Sequence, residues 1–303
     1  MHQATPTRKA IAAPSRSALA FAALIGGNVA LAFGPWFVRM ADVGPVAAGF
    51  WRISLAAPLL LLLARATGSR PFAQSRGLGW VLFASGLLFA GDLATWHVGI
   101  HHTKLANATL FGNNASLIFP IYGFIVARAW PTRTQGAALL LALVGAVVLL
   151  GRSAEVSPEN LLGDVFCLVA GLLYAAYFIL MARARTRMQP LPALALSSLA
   201  AGPPLLIAAL ALGEPIMPQH WMPLLALALA SQVLGQGLMI FALGQLTPLV
   251  IGIALLTQPI VAAAIGWVIY GERLGAIDLF GAALVAIALV LVRRSSGGDR
   301  EAT

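Results

Sequence analysis

ALAFAALIGGNVALAFGPWFV, residues 18–38, runs without a single charged side chain. As a helix rising 1.5 Å per residue it would be roughly 30 Å long, the thickness of a bilayer's hydrocarbon core. Residues 46–64 and 275–292 are apolar blocks of similar length. Composition agrees. Of 303 residues, 60% are hydrophobic and 10% charged, against roughly 25% charged in an average soluble domain. So few charges cannot cover the surface of a water-soluble protein of this size. The chain reads as an all-α integral membrane protein.

Apolar stretches between charged or Pro/Gly-rich breaks predict ten transmembrane spans, at 18–38, 46–64, 78–98, 105–127, 135–150, 161–182, 191–212, 221–243, 249–270 and 275–292. The net charge of +9 does not point to nucleic acid, because the positive residues sit in short loops and read as topology signals. With the N-terminus inside, the cytoplasmic side takes Arg8, Lys9, Arg16, Arg65, Arg70, Arg76, Arg128, Arg133, Arg183, Arg185, Arg187, Arg293, Arg294 and Arg300. The other side takes Arg39, Lys104, Arg152 and Arg273. Fourteen against four puts both termini in the cytoplasm and the protein in the cell inner membrane as a multi-pass chain. Cys167 is the one cysteine, which excludes an intramolecular disulfide and a cysteine-built metal site.

Sliding the chain on itself by about 144 residues superposes its halves: Gly27 on Gly171, Arg39 on Arg183, Leu55-Ala56-Ala57 on Leu199-Ala200-Ala201, Gly91 on Gly235, Thr103 on Thr247. The basic start before an apolar run also fits a cleaved signal peptide, but the first span is needed to match the sixth. Five spans is an odd number, so the copies enter the membrane in opposite directions. Inverted repeats meeting at a midplane site are the architecture of alternating-access transporters. The organisation expected is a cytoplasmic tail (1–17), a first five-helix repeat (18–150), an external linker (151–160), a second repeat (161–292) and a cytoplasmic tail (293–303).

Thr247-Pro-Leu-Val-Ile-Gly-Ile-Ala-Leu-Leu-Thr-Gln-Pro259, continuing to Gly271-Glu-Arg-Leu274, resembles the span-nine signature of EamA-type members of the drug/metabolite transporter superfamily. Thr103-Lys-Leu-Ala-Asn-Ala-Thr109 through Asn113-Asn114 is its counterpart in the first half, and Trp51-Arg52 also fits. The resemblance covers about residues 18–292 and implies ten helices in two inverted halves. Within the superfamily the chain is most similar to bacterial exporters of aromatic and other neutral amino acids. The first half departs from the pattern: Arg128-Ala129-Trp130 replaces Glu-Arg-Leu, and Ala115 stands where Pro259 does. Span four is therefore expected to bend at Pro120.

Ionisable groups at membrane depth are costly and demand an account. Arg52 and Asp92 each lie about six residues from the external end of their span, roughly 9 Å deep, where they can pair. Such a pair either pins spans two and three or leaves Arg52 to bind a substrate carboxylate. Asp92 and Trp96 share a helix face. Asp92 beside His97 offers a proton-coupling pair and Trp96 a wall of the substrate cavity; for the two rings the alternative is interfacial anchors. Amides recur near the midplane at Asn28, Asn113, Asn114, Gln232, Gln236 and Gln258. Facing lipid they would be unsatisfied, so they either bond between helices or line a polar pocket. Tyr174 and Tyr177 sit too deep for interfacial tyrosines and either add aromatic walls or pack on Gly26 and Gly27. Gly34-Pro35, Pro120 and Pro259 are hinge candidates or static bends.

The function expected is a secondary transporter exporting small neutral metabolites, with aromatic amino acids as the specific substrate, by alternating access. The alternatives are export of other amino acids or drug-like metabolites, or a passive channel. No cofactor or metal is called for, and the partners are a small-molecule substrate and the bilayer, with the chain read as a monomer. No G-x-x-x-x-G-K-[ST] loop is present, so ATP is not hydrolysed by this chain. An enzyme is not expected, since Asp92 reads as the only acid well inside a span and His101-His102 have no third ligand.

Overall fold

The computed structural model describes residues 16–103, 105–151, 157–270 and 275–298. Among them nine helical segments are long and apolar enough to cross a bilayer, and a shorter apolar helix, Arg133–Val148, supplies the tenth span. Span one consists of two helices, Arg16–Ala32 and Gly34–Met40. Spans two and three are Pro45–Ala66 and Gly79–His102. Span four is split into Leu105–Gly112 and Ala115–Ala127. Spans five, six and seven are Arg133–Gly151, Leu161–Arg185 and Pro190–Ala211. Span eight runs Met222–Ala226, Leu227–Gln236 and Gly237–Leu243, its middle section being π-helical. Span nine is split into Pro248–Leu255 and Thr257–Tyr270, and span ten is Ala276–Gly298. Lys104, Arg152, Glu272, Arg273 and the end tails, which carry part of the topology argument, lie outside the described residues.

Helix packing follows the repeat. Span three packs along span six, and the pair five positions on, span eight with span one, does the same; spans two and seven, four and nine, and five and ten each pack on their own repeat partner. Exchange of the two halves maps this set of neighbours onto itself. That is what an inverted five-helix duplication produces.

The break of span four also repeats. Adding 144 carries Asn113-Asn114, the interruption of span four, onto Thr257-Gln258 beside the interruption of span nine at Leu256. This corrects the expectation that span four bends at Pro120, which lies inside the helix Ala115–Ala127. Asparagine side chains compete with the backbone for hydrogen bonds and so favour turns. Asn113 Nδ2 donates to Thr109 O at 2.8 Å and Asn114 Nδ2 to Phe111 O at 2.9 Å, each a second donor to a carbonyl that the same residue's backbone N–H also bonds. The Gly202-Pro203-Pro204 run likewise does not interrupt span seven. Prolines inside membrane helices are tolerated where the freed backbone groups are re-satisfied by neighbours.

At the face opposite the termini, the loop after span seven clamps the start of span two. Glu214 accepts from Val46 N at 3.2 Å and Ala47 N at 2.8 Å, two amides of a helix whose N-cap, Gly44, has no side chain to offer. An anion there also meets the positive end of the helix dipole. Gly44 N donates to Pro215 O and Trp51 Nε1 to Ile216 O. Asp42 Oδ2 accepts from Gln219 N, His220 N and the His220 ring. Desolvation would raise the Asp42 carboxyl, but these bonds outweigh it and hold it below the ordinary carboxylate value. Glu214→Ala is expected to cost about 1 kcal/mol, the usual loss of a helix cap, read as a lower midpoint of unfolding in detergent, with Glu214→Gln losing less.

Candidate functional site

A cavity of about 110 Å³ lies between spans one, two, three, four, six and nine, in the half of the bundle away from Arg16 and Gly298. Its walls are placed by the helix breaks. Gly34 and Pro35 stand where span one restarts, Gly112 and Asn113 where span four breaks, and Gln258 just past the break of span nine. Trp96, one turn beyond Asp92, reaches the break of span four because Gly112 has no side chain: a Cβ there would stand 3.1 Å from the indole Nε1. Phe89, Leu93 and Tyr174 complete the apolar walls.

Arg52 and Asp92 both open onto this cavity, yet they form no ion pair within 4.0 Å. The pairing expected from their equal depth is replaced by other contacts. Arg52 Nε donates to Gln232 Oε1 at 3.0 Å, and the guanidinium carbon lies 5.7 Å from the centre of the Phe89 ring, a cation–π distance. Gln232 in turn donates from Nε2 to Ser198 Oγ at 3.1 Å. The guanidinium is thus anchored through one nitrogen, and the rest of it is left toward the void.

Of the residues singled out from sequence, Trp96, Asn113, Tyr174, Gln258, Asp92, Arg52, Gly34 and Pro35 line the cavity. The others do not. Gln232 orients Arg52 from behind. Tyr177 and Gln236 are fully buried below Tyr174, whose hydroxyl donates to Gln236 Oε1 at 3.1 Å. The two tyrosines stack on Phe89 rather than packing on Gly26 and Gly27; Gly27 meets span eight at Gly235, Leu238 and Met239. His97 turns away from the cavity, fully buried, with Nδ1 2.7 Å from Pro45 O, and so ties span three to the start of span two.

Asn114 and Asn28 are tethers. Asn114 Nδ2 donates to Leu168 O of span six at 2.7 Å. In the second half Gln258 Nε2 donates to Asn28 Oδ1 at 2.8 Å, and Asn28 Nδ2 to Leu24 O at 3.0 Å. Leu24 is the repeat equivalent of Leu168, and Gln258 that of Asn114. Both breaks are therefore fastened to the same register of the facing helix, directly in one half and through Asn28 in the other. Pro259 follows this tether in the helix restart, and Pro120 packs on Gly252 of span nine.

Sequence reasoning missed Asp164. It is 6% exposed in the first turn of span six and accepts from Thr103 Oγ1 at 2.6 Å and from Asn107 Nδ2 at 3.0 and 3.2 Å. Asp92 is therefore not the only acid inside a span. The missed signal was the polar trio Thr103, Asn107 and Asp164, all at one end of the bundle. Among the described residues no cluster of His, Cys, Asp and Glu could hold a metal.

Residues 18–151 and 161–294 each match the model of the EamA-like transporter family. A protein of Archaeoglobus fulgidus described as an uncharacterized transporter is 29% identical over 149 residues, 47% of this chain and 50% of that protein; the match thus spans about half the length of that relative. A solved crystal structure superposes with a TM-score of 0.75 over 92% of this chain and 97% of its own, at 16% identity, which speaks for the fold alone.

Proposed function

We propose, for a chain that belongs to the EamA-like transporter family, that this multi-pass membrane protein exports aromatic and other neutral amino acids by alternating access around the cavity described above. One observation carries the reading: a cation and an acid, Arg52 and Asp92, open onto a single cavity between aromatic walls with no ion pair within 4.0 Å between them. A zwitterion matches that arrangement. Its carboxylate suits the free nitrogens of Arg52, its ammonium suits Asp92, and a flat side chain suits Trp96, Phe89 and Tyr174. Charge-assisted bonds to both ends outweigh neutral ones, while Asn113 and Gln258 supply uncharged contacts.

The Lys/Arg bias puts the termini in the cytoplasm, and the cavity then belongs to an outward-facing state. The rocking bodies are the helices fastened by the two tethers, each with the span packed along it: spans four and six with span three on one side, spans nine and one with span eight on the other. Asp92 is the group that can exchange a proton with the cavity, His97 being turned away.

Counterflow in proteoliposomes tests the carrier. Internal unlabelled phenylalanine is expected to accelerate uptake of external labelled phenylalanine, and absence of exchange acceleration with net flux retained would identify a channel instead. Asp92→Asn is expected to flatten the pH dependence of this exchange, because an amide at that position can neither take up nor release a proton. An unchanged profile removes Asp92 from coupling.

A further inference from the structure

Beneath the cavity floor the structure holds polar groups that the reading above does not use. Gln236 and Tyr177 are fully buried. The Tyr177 hydroxyl lies next to the Gln236 amide, yet neither it nor Gln236 Nε2 meets a partner in hydrogen-bonding geometry. A buried polar atom left unpaired costs about 1–3 kcal/mol, and an apolar pair of the same shape would avoid that cost. Tyr174 stands between Gln236 and the void, its ring lining the cavity and its hydroxyl bonding Gln236 Oε1 at 3.1 Å, while Phe89, another cavity wall, stacks on Tyr177.

The repeat gives this position a meaning. Gln236 is the equivalent of Asp92, each preceded by a glycine, Gly235 and Gly91. In the first half that position opens onto the cavity, while in the second it is sealed. Two inverted halves that exchange conformations exchange these environments. The π-helical turns Leu227–Gln236, which end on Gln236, are of a kind that recurs at functional sites.

We propose that Gln236 and Tyr177 are ligand-binding groups of the state open toward the termini, and that the Tyr174–Gln236 hydrogen bond is the gate that seals them here. An amide N–H and a phenol O–H side by side suit a hydrogen-bond acceptor such as a carboxylate. When Tyr174 swings away, the sealed pair joins the cavity from below. The proposal rests on the carrier reading.

Sidedness of thiol labelling tests it without any substrate. In a Cys167→Ser background, Asp92→Cys and Gln236→Cys are each probed in oriented vesicles with a membrane-impermeant methanethiosulfonate, with Thr186→Cys and Gln219→Cys marking the two faces. The Asp92→Cys variant is expected to react from the Gln219 face and the Gln236→Cys variant only from the Thr186 face. Reaction of Gln236→Cys from the Gln219 face, or from neither face while the markers react, overturns the proposal. Because that variant removes the amide, Tyr174→Phe is combined with Asp92→Cys, which keeps Gln236. Loss of the gate bond lowers the equilibrium constant for the outward-facing state by about 2- to 10-fold, the weight of one neutral hydrogen bond, so labelling from the Gln219 face is expected to slow by up to that factor; an unchanged rate sinks the gate. Counterflow that persists while sidedness fails leaves the carrier standing and removes only this assignment.

Discussion

Arg52→Gln is expected to raise the phenylalanine concentration for half-maximal counterflow by about 10- to 100-fold, the weight of a hydrogen bond to a charged group. Two roles compete for this side chain. As a pin it joins span two to span eight through Gln232 Oε1 at 3.0 Å and lies over Phe89. As an anchor it offers the remainder of its guanidinium to the cavity. Glutamine removes the charge and keeps a polar group of moderate reach. A pin lost without an anchor lowers the unfolding midpoint and the amount of folded carrier but leaves half-saturation unchanged. An anchor lost shifts half-saturation. Arg52→Lys separates the contributions further, since a lysine keeps the charge as a point but cannot bond Gln232 through Nε while presenting two more nitrogens in a fixed plane. Its shift is expected to be intermediate. Equal half-saturation for wild type, Arg52→Lys and Arg52→Gln would end the carboxylate-anchor reading.

The Arg52 case shows which parts of the site were legible in the sequence. Depth was, in part: counting residues along a span placed Arg52 and Asp92 at equal depth, Asn113 and Gln258 near the midplane and Tyr174 well inside the bilayer, and these residues share one cavity with Trp96. Direction around the helix was not. A soluble helix advertises its inner face by a polar stripe on the other, whereas these spans are apolar all round. Tyr177, Gln232, Gln236, Asn28, Asn114 and His97 therefore looked equivalent to their neighbours until packing showed them bonded between helices or sealed. The repeat resolves some of this after the fact, because Gln258 and Asn114 occupy one register. The break of span four was open to sequence reasoning, since Asn113-Asn114 is itself a turn signal; Pro120 drew attention instead.

Gly252→Ala is expected to cost stability, and it bears directly on what Pro120 does. Spans four and nine cross where each offers a glycine to the other's proline. A Cβ on Gly252 would overlap the Pro120 ring and stand 2.6 Å from Ser116 O; a Cβ on Gly123 would stand 2.8 Å from Pro248 Cβ and 2.9 Å from its Cγ. A proline ring cannot rotate aside, and the Ser116 carbonyl belongs to the backbone, so the helices themselves must move apart. Small residues at such crossings let membrane helices approach closely, and overfilling a packed site costs about 1–3 kcal/mol. Alanine's better helix propensity, worth up to about 1 kcal/mol, opposes this and makes the control informative. At Gly26 a Cβ would meet only Leu238 Cδ1, at 3.6 Å, an ordinary contact. Gly26→Ala is therefore expected to be neutral or stabilising, and Gly252→Ala to unfold in detergent at a clearly lower midpoint. Pro120→Ala in the Gly252→Ala chain should recover part of the loss, because it removes the ring and leaves only the carbonyl in the way. If Gly252→Ala proves as stable as Gly26→Ala, the crossing has slack, and Pro120 returns to being a candidate hinge rather than the knob that fixes spans four and nine together.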